Sequence, residues 1–434
     1  MQTVCIAFPI GCPRSILNAA HLINYFKING INVTSDFRKA DTLMVSTCGF
    51  NQEFEDYSIK NLEVASRQKK KNSKLYAFGC LTGINPERLL KNFDIIPLKN
   101  TDLIKLDSII DSKIKIFDMN IGYDLDKYRN LIFKPKEEFE LLALRDNKII
   151  YYKILLRSRL KKIVKYFGGS KVKSFLYKNI YSNKILTKKV DMNTKIMDVR
   201  ISYGCESYCT YCAIRLFSGH LTSIPPEKVL DTINIGLKDG YKTFSLVGED
   251  AGAYGLDIGS NITNLLKSIL SIDEEIKIRF NDFSPKWLIM YFQEFHKIFI
   301  KHHGNIDRFM LPIQSGSENI LKSMKRDHTA KDLRECLRAL KRSVPNLQIE
   351  SHVLVGFPGE TEQDFLDTLE LLQYLKFSEV QIYPYSDRPN TESFKMMPKV
   401  SEDVIGDRIS RILNLNINTK FILENFEQYR SFHV

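Results

Sequence analysis

Two rounds of strand–helix alternation predict an α/β protein, an N-terminal parallel α/β domain followed by a partial (β/α)6 barrel. Three observations carry this. Between Thr3 and Phe78, apolar runs of strand length alternate with helical stripes. Between Met197 and Pro384, six more strands alternate with helices. Cysteines stand where strands end, the edge at which such sheets collect ligands.

The N-terminal elements follow in order. Thr3–Phe8 reads as a buried strand and Gly11-Cys12-Pro13 as a turn. Ile16, Ala19, Ala20, Ile23 and Phe26 form one stripe of a helix over Ser15–Ile28, closed by Asn29-Gly30. Strands follow at Ile31–Thr34, Asp41–Thr47 and Leu75–Phe78, with a helix from about Phe54 to Lys70. Cys12, Cys48 and Cys80 each fall just after a strand, so in a parallel sheet they share one edge. Cys5, mid-strand, and Cys336, on a helix, read as core residues.

The 434 residues divide into 1–111, the N-terminal domain; 112–192, a basic insertion of unassigned fold; 193–395, the barrel; and 396–434, a helical C-terminal segment with helix expected over Ser401–Tyr429. At 44% hydrophobic the chain can bury a full core, which excludes wholesale disorder. No secretory signal and no run of about 18 apolar residues is visible, so a cytoplasmic protein without membrane contact is expected. Eight cysteines in that setting point to metal work rather than disulfides. The net charge of +12 is concentrated between Arg145 and Lys195, where fifteen Lys/Arg face two acids. That block suits an anionic substrate, or is a solvated basic face.

In the barrel, the strand beginning at Met197 delivers Ile-Ser-Tyr-Gly-Cys-Glu-Ser-Tyr-Cys-Thr-Tyr-Cys, with Cys205, Cys209 and Cys212 at offsets of four and three. Three thiolates so close can hold one cubic iron–sulfur cluster with one iron left open to an outside ligand. Zinc competes, although structural zinc usually wants four ligands in paired spacings. Further strands are expected at Lys242–Gly248, Ile276–Phe280, Arg308–Gln314, Leu347–Val355 and Val380–Pro384, with helices between them. Their C-terminal ends carry Gly248, Glu249 and Asp250, where a carboxylate can meet an ammonium group. They also carry Gln314 and Ser315, with hydrogen-bonding side chains, and Gly356 and Phe357, a turn that can lie against a flat ring. Arg279 near the end of its strand joins this candidate set. A capping or turn role is the alternative for each.

The cysteine spacing with Tyr211 before the last thiol resembles the signature of the radical S-adenosylmethionine (SAM) enzymes. The N-terminal cysteines, with Ser46-Thr-Cys-Gly and Gly79-Cys-Leu-Thr, resemble the first domain of one branch, the methylthiotransferases. Gly248–Asp257, Leu311–Arg326 and Val355–Phe365 look like further stretches of that family. The pattern departs at Ser15, after the first cysteine, and at Ser218, Ile224 and His352, near the substrate side. The resemblance implies two 4Fe-4S clusters, one on Cys205, Cys209 and Cys212 and an auxiliary one on Cys12, Cys48 and Cys80. It also implies SAM as cofactor, bound among Gly248, Glu249, Asp250, Arg279, Gln314, Ser315, Gly356 and Phe357.

The activity implied is insertion of a methylthio group at an unactivated C–H, with a flavodoxin or ferredoxin as electron donor. Many members continue into a small β-barrel (TRAM domain) that docks the substrate. No alternating strand pattern follows Leu413, so none is expected here. For that reason a gene-encoded peptide is the first expectation for the substrate. Transfer RNA carrying a modified adenosine is the alternative, and a non-catalytic metal-binding protein is the reading of another class.

Overall fold

The computed structural model describes residues 3–7, 12–119, 121–123, 195–415 and 417–421. Val4, Cys5, Ile6 and Ala7 are all buried, which places β1 (Thr3–Ala7) inside a parallel sheet. β2 (Asn32–Thr34), β3 (Thr42–Thr47), β4 (Lys74–Gly79) and β5 (Ile96–Leu98) complete it in the order β2-β1-β3-β4-β5. The helix Pro13–Ile28 crosses from β1 to β2, and the helix Gln52–Gln68 from β3 to β4. Asn51 opens the second helix by accepting the Phe54 N–H at 2.9 Å. β1, β3 and β4 are therefore neighbours, and each runs directly toward one of the three N-terminal cysteines.

The second sheet is built from β6 (Gly122–Tyr123), β7 (Ile196–Arg200), then, after a small ribbon of β8 (Ser202–Tyr203) and β9 (Thr222–Ser223), from β10 (Thr243–Val247), β11 (Lys277–Phe280), β12 (Ile306–Met310), β13 (Ile349–Val355), β14 (Glu379–Pro384) and β15 (Thr419–Phe421). Its order is β15-β14-β13-β12-β11-β10-β7-β6, parallel except for the β6–β7 pair. The six strands expected from the sequence are all present as its centre. Phe280, Phe283, Phe295, Phe299 and Phe309 pack edge to face between this sheet and its helices. Burial of each such ring contributes about 1.5–3 kcal/mol.

Five short strands were not legible in the sequence: β5, β6, β8, β9 and β15 have two or three residues each, too few for a period to show. β6 lies in the segment assigned to the insertion, yet it pairs with β7, so the barrel sheet begins before residue 193. The expected helix over Ser401–Tyr429 is corrected as well. Helix spans only Glu402–Leu413, and Thr419–Phe421 then adds a strand beside β14. Asn414 ends the helix as its C-cap, since an Asn side chain competes for backbone groups. The 396–434 segment thus contributes to the barrel. The basic block from Arg145 to Thr194 lies outside the described residues.

A buried charge cluster ties the two sheets together. Glu55, on the helix after β3, pairs with Arg388 from the loop after β14, and both are at most 3% exposed. Arg88 Nη1 shares the carboxylate at 2.7 Å. Removing one partner of a buried pair leaves the others desolvated and unpaired. Glu55→Ala should therefore lower stability by about 3–5 kcal/mol in urea unfolding. An unchanged midpoint would show that the cluster is not what holds the junction.

Candidate active site

β3 and β4 end directly before Cys48 and Cys80, and Cys12 follows β1, which ends at Ala7. Cys12 caps the helix Pro13–Ile28, and its Sγ accepts the Ser15 N–H at 3.4 Å. The three thiols lie within electrostatic reach of one another, since Cys48 and Cys12 both bear on Cys80. Burial pushes Cys48 up to about 12 and raises Cys80 well above the usual thiol range.

The second triad hangs on the loop after β8. Gly204 sits at φ 74°, and a Cβ there would lie 1.9 Å from the His220 carbonyl oxygen. Only glycine lets the chain turn into Cys205 at that point. Thr210 anchors the middle of the loop, its N–H on Met324 O at 3.1 Å and its hydroxyl on Ser323 O at 3.0 Å. Cys209 and Cys212 both bear electrostatically on Cys205. Burial pushes Cys205 to about 12 and Cys212 to about 11. Buried thiols of this kind ionise only beside positive charge, which iron or a fixed cation supplies.

The two triads are neighbours. Cys80 is followed by the turn Leu81–Ile84, and Cys212 by the turn Arg215–Ser218. Ile84, Ala213 and Phe217 pack together, with Cys80, Ile214 and Leu216 against them. A Cβ on Gly83 would fall 2.4 Å from Leu216 O, so the two turns touch backbone to backbone. Among the described residues no three ligating side chains close on a single point as one ion would require. The donor set, two groups of three cysteines beside fixed cations, fits two multi-iron clusters.

The carboxylates divide by role. Asp250 is saturated, accepting from Trp287 Nε1 at 2.7 Å, Ser284 N at 3.1 Å and Gly252 N at 3.3 Å. Those three bonds give Asp250 a structural role just after β10. Glu249 is equally buried, but its Oε2 has no hydrogen-bond partner, and Arg200 approaches it only at 3.6 Å. Glu249 thus keeps a free acceptor in the site.

Other residues of the candidate SAM set have packing duties. Ser315 Oγ accepts the Ser317 N–H and meets Thr368 on the helix Glu362–Leu375. A Cβ on Gly356 would lie 2.4 Å from Ile405, so its lack of a side chain admits the helix Glu402–Leu413. Phe357 is fully buried with Tyr211, Ile320 and Met324, under the cysteine loop. Gly248 packs on Ser202, and Arg279 is paired with Asp307 on β12. Gln314, at φ 70°, keeps its side chain without a hydrogen-bond partner among the described residues. Thr361 and Asp364 form a capping box, as the helix-opening alternative for that stretch expected.

Sequence reasoning did not single out Arg14, Arg200 or Arg326. Arg326 Nη1 donates to Cys209 Sγ at 3.4 Å. Arg14 Nη1 stands 3.7 Å from Asp282 Oδ2, has no hydrogen-bond partner, and bears on Cys12, Cys80 and Cys212. A cation two residues after a candidate ligand was the available signal at Arg14. For Arg326, 114 positions after Cys212, there was no local signal.

Comparison with known proteins agrees with this geometry. Residues 199–372 match the radical SAM superfamily, and residues 5–98 match an uncharacterized protein family, UPF0004. A threonylcarbamoyladenosine tRNA methylthiotransferase, MtaB of Aquifex aeolicus, is 28% identical over 93% of this chain and 85% of its own. The ribosomal protein uS12 methylthiotransferase RimO of Protochlamydia amoebophila is 25% identical over 96% and 77%. These matches support a resemblance to the radical SAM methylthiotransferases. A probable threonylcarbamoyladenosine tRNA methylthiotransferase of Pyrococcus horikoshii is 35% identical over 51% of this chain, and the match spans about half of that relative's length, 53%. Among solved structures, the radical SAM methyltransferase TsrM of Kitasatospora setae superposes with a TM-score of 0.59 at 12% identity, over 91% of this chain and 77% of that one. At that identity the likeness is one of fold. The resemblance supports an enzyme that uses SAM and 4Fe-4S clusters.

His328, two residues beyond Arg326, gives the site a pH signature. Neither ring nitrogen has a partner, and burial, with Arg326 and Lys286 nearby, holds its pKa down to about 3. The unfolded chain binds the proton near pH 6.5, so the stabilising share is full above that value and is lost as pH falls. Between pH 7 and 5 this costs the metal-free protein about 2 kcal/mol. His328→Phe should remove that part of the pH dependence in urea unfolding. A slope that stays the same would assign it elsewhere.

The carboxylates give a second expectation. Asp250→Ala should lower stability by about 1–3 kcal/mol, because buried donors lose their acceptor. Glu249→Gln takes the counter-charge from buried Arg200 and should also lower stability, but unlike Asp250→Ala it should weaken SAM binding at least about tenfold. Calorimetric titration with SAM separates the two, and equal affinity in Glu249→Gln would remove Glu249 from the cofactor site.

Proposed function

We propose that this chain inserts a methylthio group at an unactivated C–H of a modified adenosine in transfer RNA. The observation that carries the reading is the contact of two cysteine triads from two sheets through the Leu81–Ile84 and Arg215–Ser218 turns. One triad alone suits SAM cleavage or simple electron transfer. Sulfur insertion needs a second centre beside the first.

Cys205, Cys209 and Cys212 would hold one 4Fe-4S cluster, and Cys12, Cys48 and Cys80 the other. When bound, the first cluster with SAM supplies the radical that removes a hydrogen atom, and the second supplies the sulfur. The chain's own residues bind and orient. Glu249 Oε2 accepts from the ammonium of SAM, and Gln314 offers its amide nearby. Arg200 holds Glu249 in place from β7, itself fixed by Asn18 Oδ1 at 2.8 Å. Phe357, Tyr211 and Met324 keep water from beneath the loop. A flavodoxin or ferredoxin is the proposed electron donor.

The first expectation of a gene-encoded peptide gives way to transfer RNA. The relatives described above act, by their names, on tRNA or on ribosomal protein uS12. The basic block between Arg145 and Lys195 suits a polyphosphate backbone. The described residues include no helix long and apolar enough to cross a membrane, and we place the enzyme in the cytoplasm.

Reconstituted protein with SAM, a reductant and tRNA from a strain lacking the gene should yield a methylthio-nucleoside by mass spectrometry. The triple variant Cys12→Ala, Cys48→Ala, Cys80→Ala should still cleave SAM to 5′-deoxyadenosine, yet give no such product. Methylthiolated product from that variant would sink the role of the N-terminal triad. Product on a peptide but not on tRNA would restore the first expectation.

A further inference from the structure

Two arginines stand at the cysteines, and neither is absorbed by the fold. Arg326 follows the helix Glu318–Ser323 and is set by a left-handed Lys325, φ 52°. Its N–H closes on Leu321 O at 2.9 Å, and its Nη2 donates to Pro312 O at 3.0 Å and Ser284 Oγ at 3.4 Å. Those bonds aim Nη1 at Cys209 Sγ, 3.4 Å away. The same turn accepts both Thr210 bonds, so one short piece of chain fixes both guanidinium and sulfur. Among the described residues no carboxylate lies within ion-pair distance of Arg326. Its charge faces Asp250, whose acceptors are already taken, as well as Tyr211, Lys286 and His328.

Arg14 is placed differently. It follows Cys12 in the first turn of the helix Pro13–Ile28, and its backbone carbonyl accepts from Arg200 Nη2 at 3.3 Å. Its Nη1 is closed to solvent without a hydrogen-bond partner and only loosely faces Asp282 at 3.7 Å. It lies within electrostatic reach of all three N-terminal cysteines and of Cys212.

We propose that these two fixed cations set the reduction potentials of the clusters, Arg326 that of the Cys205–Cys209–Cys212 cluster alone and Arg14 those of both. The proposal rests on the cluster reading given above. Reduction adds one electron from the donor to a centre that already carries thiolates, with no bond made or broken. A buried positive charge, or a hydrogen bond to a ligating sulfur, stabilises the reduced form more than the oxidised form. The effect is larger where solvent is excluded. Arg326 offers charge and hydrogen bond together, and Arg14 offers charge between two centres.

The test is redox titration followed by electron paramagnetic resonance, on full-length reconstituted protein. The Cys12, Cys48, Cys80→Ala background isolates one cluster, and the Cys205, Cys209, Cys212→Ala background isolates the other. Arg326→Gln should make the first cluster about tenfold harder to reduce, a midpoint about 59 mV lower for one electron. It should leave the second cluster unmoved. Arg14→Gln should lower both midpoints. Arg326→Lys, which keeps the charge, should recover most of the shift.

The outcomes separate. No iron in either background overturns the cluster reading, and the proposal with it. About four irons per chain with unmoved midpoints overturns the proposal and leaves the cluster reading standing. If Arg326→Gln loses its iron, Arg326→Lys decides: a midpoint near that of the parent protein supports the role of charge, and one shifted as far as expected for glutamine overturns it.

Discussion

The backbone contact between the Leu81–Ile84 and Arg215–Ser218 turns makes one site out of two sheets. Each turn follows directly on the last cysteine of its triad. Gly83 allows the approach, because any side chain would strike the Leu216 carbonyl. Everything chemical depends on that spacing. If the turns stood apart, the N-terminal thiols would be an isolated metal site and the barrel an ordinary SAM-cleaving domain.

Burying six thiols together is unfavourable unless something compensates for their charge. Desolvation opposes the thiolate at Cys48, Cys80, Cys205 and Cys212 alike. The fold places Arg14 and Arg326 beside them. The same arrangement explains the buried ion pairs around it. Glu55 with Arg388, and Glu249 with Arg200, link elements far apart in sequence and hold the edges of the sheets in register. Such pairs add little net stability, but they disfavour alternative docking of the two domains.

The barrel spends many of its polar strand-end residues on its own assembly. Ser315, Ser317, Thr361 and Asp364 hold one helix, and Glu360 with Arg408 holds another. Glu249 and Gln314 are left with unused polar atoms. Proximity of a polar side chain to the mouth is therefore a weak guide to ligand contact; an unused donor or acceptor is a better one.

The sequence by itself determined the fold class, the six central barrel strands, four of the N-terminal strands with two of their helices, and the spacing of both cysteine triads. These signals are local: a period, a cap, or a spacing between residues on one loop. The short edge strands, the break of the C-terminal helix and the sorting of Asp250 from Glu249 were decided only by the tertiary structure. So were the approach of Ile405 to Gly356 and of Arg326 to Cys209 across 117 positions. The physical reason is the same in each case. Strand pairing, close approach and charge placement join residues distant along the chain, and no periodicity within a segment records which distant partner will arrive.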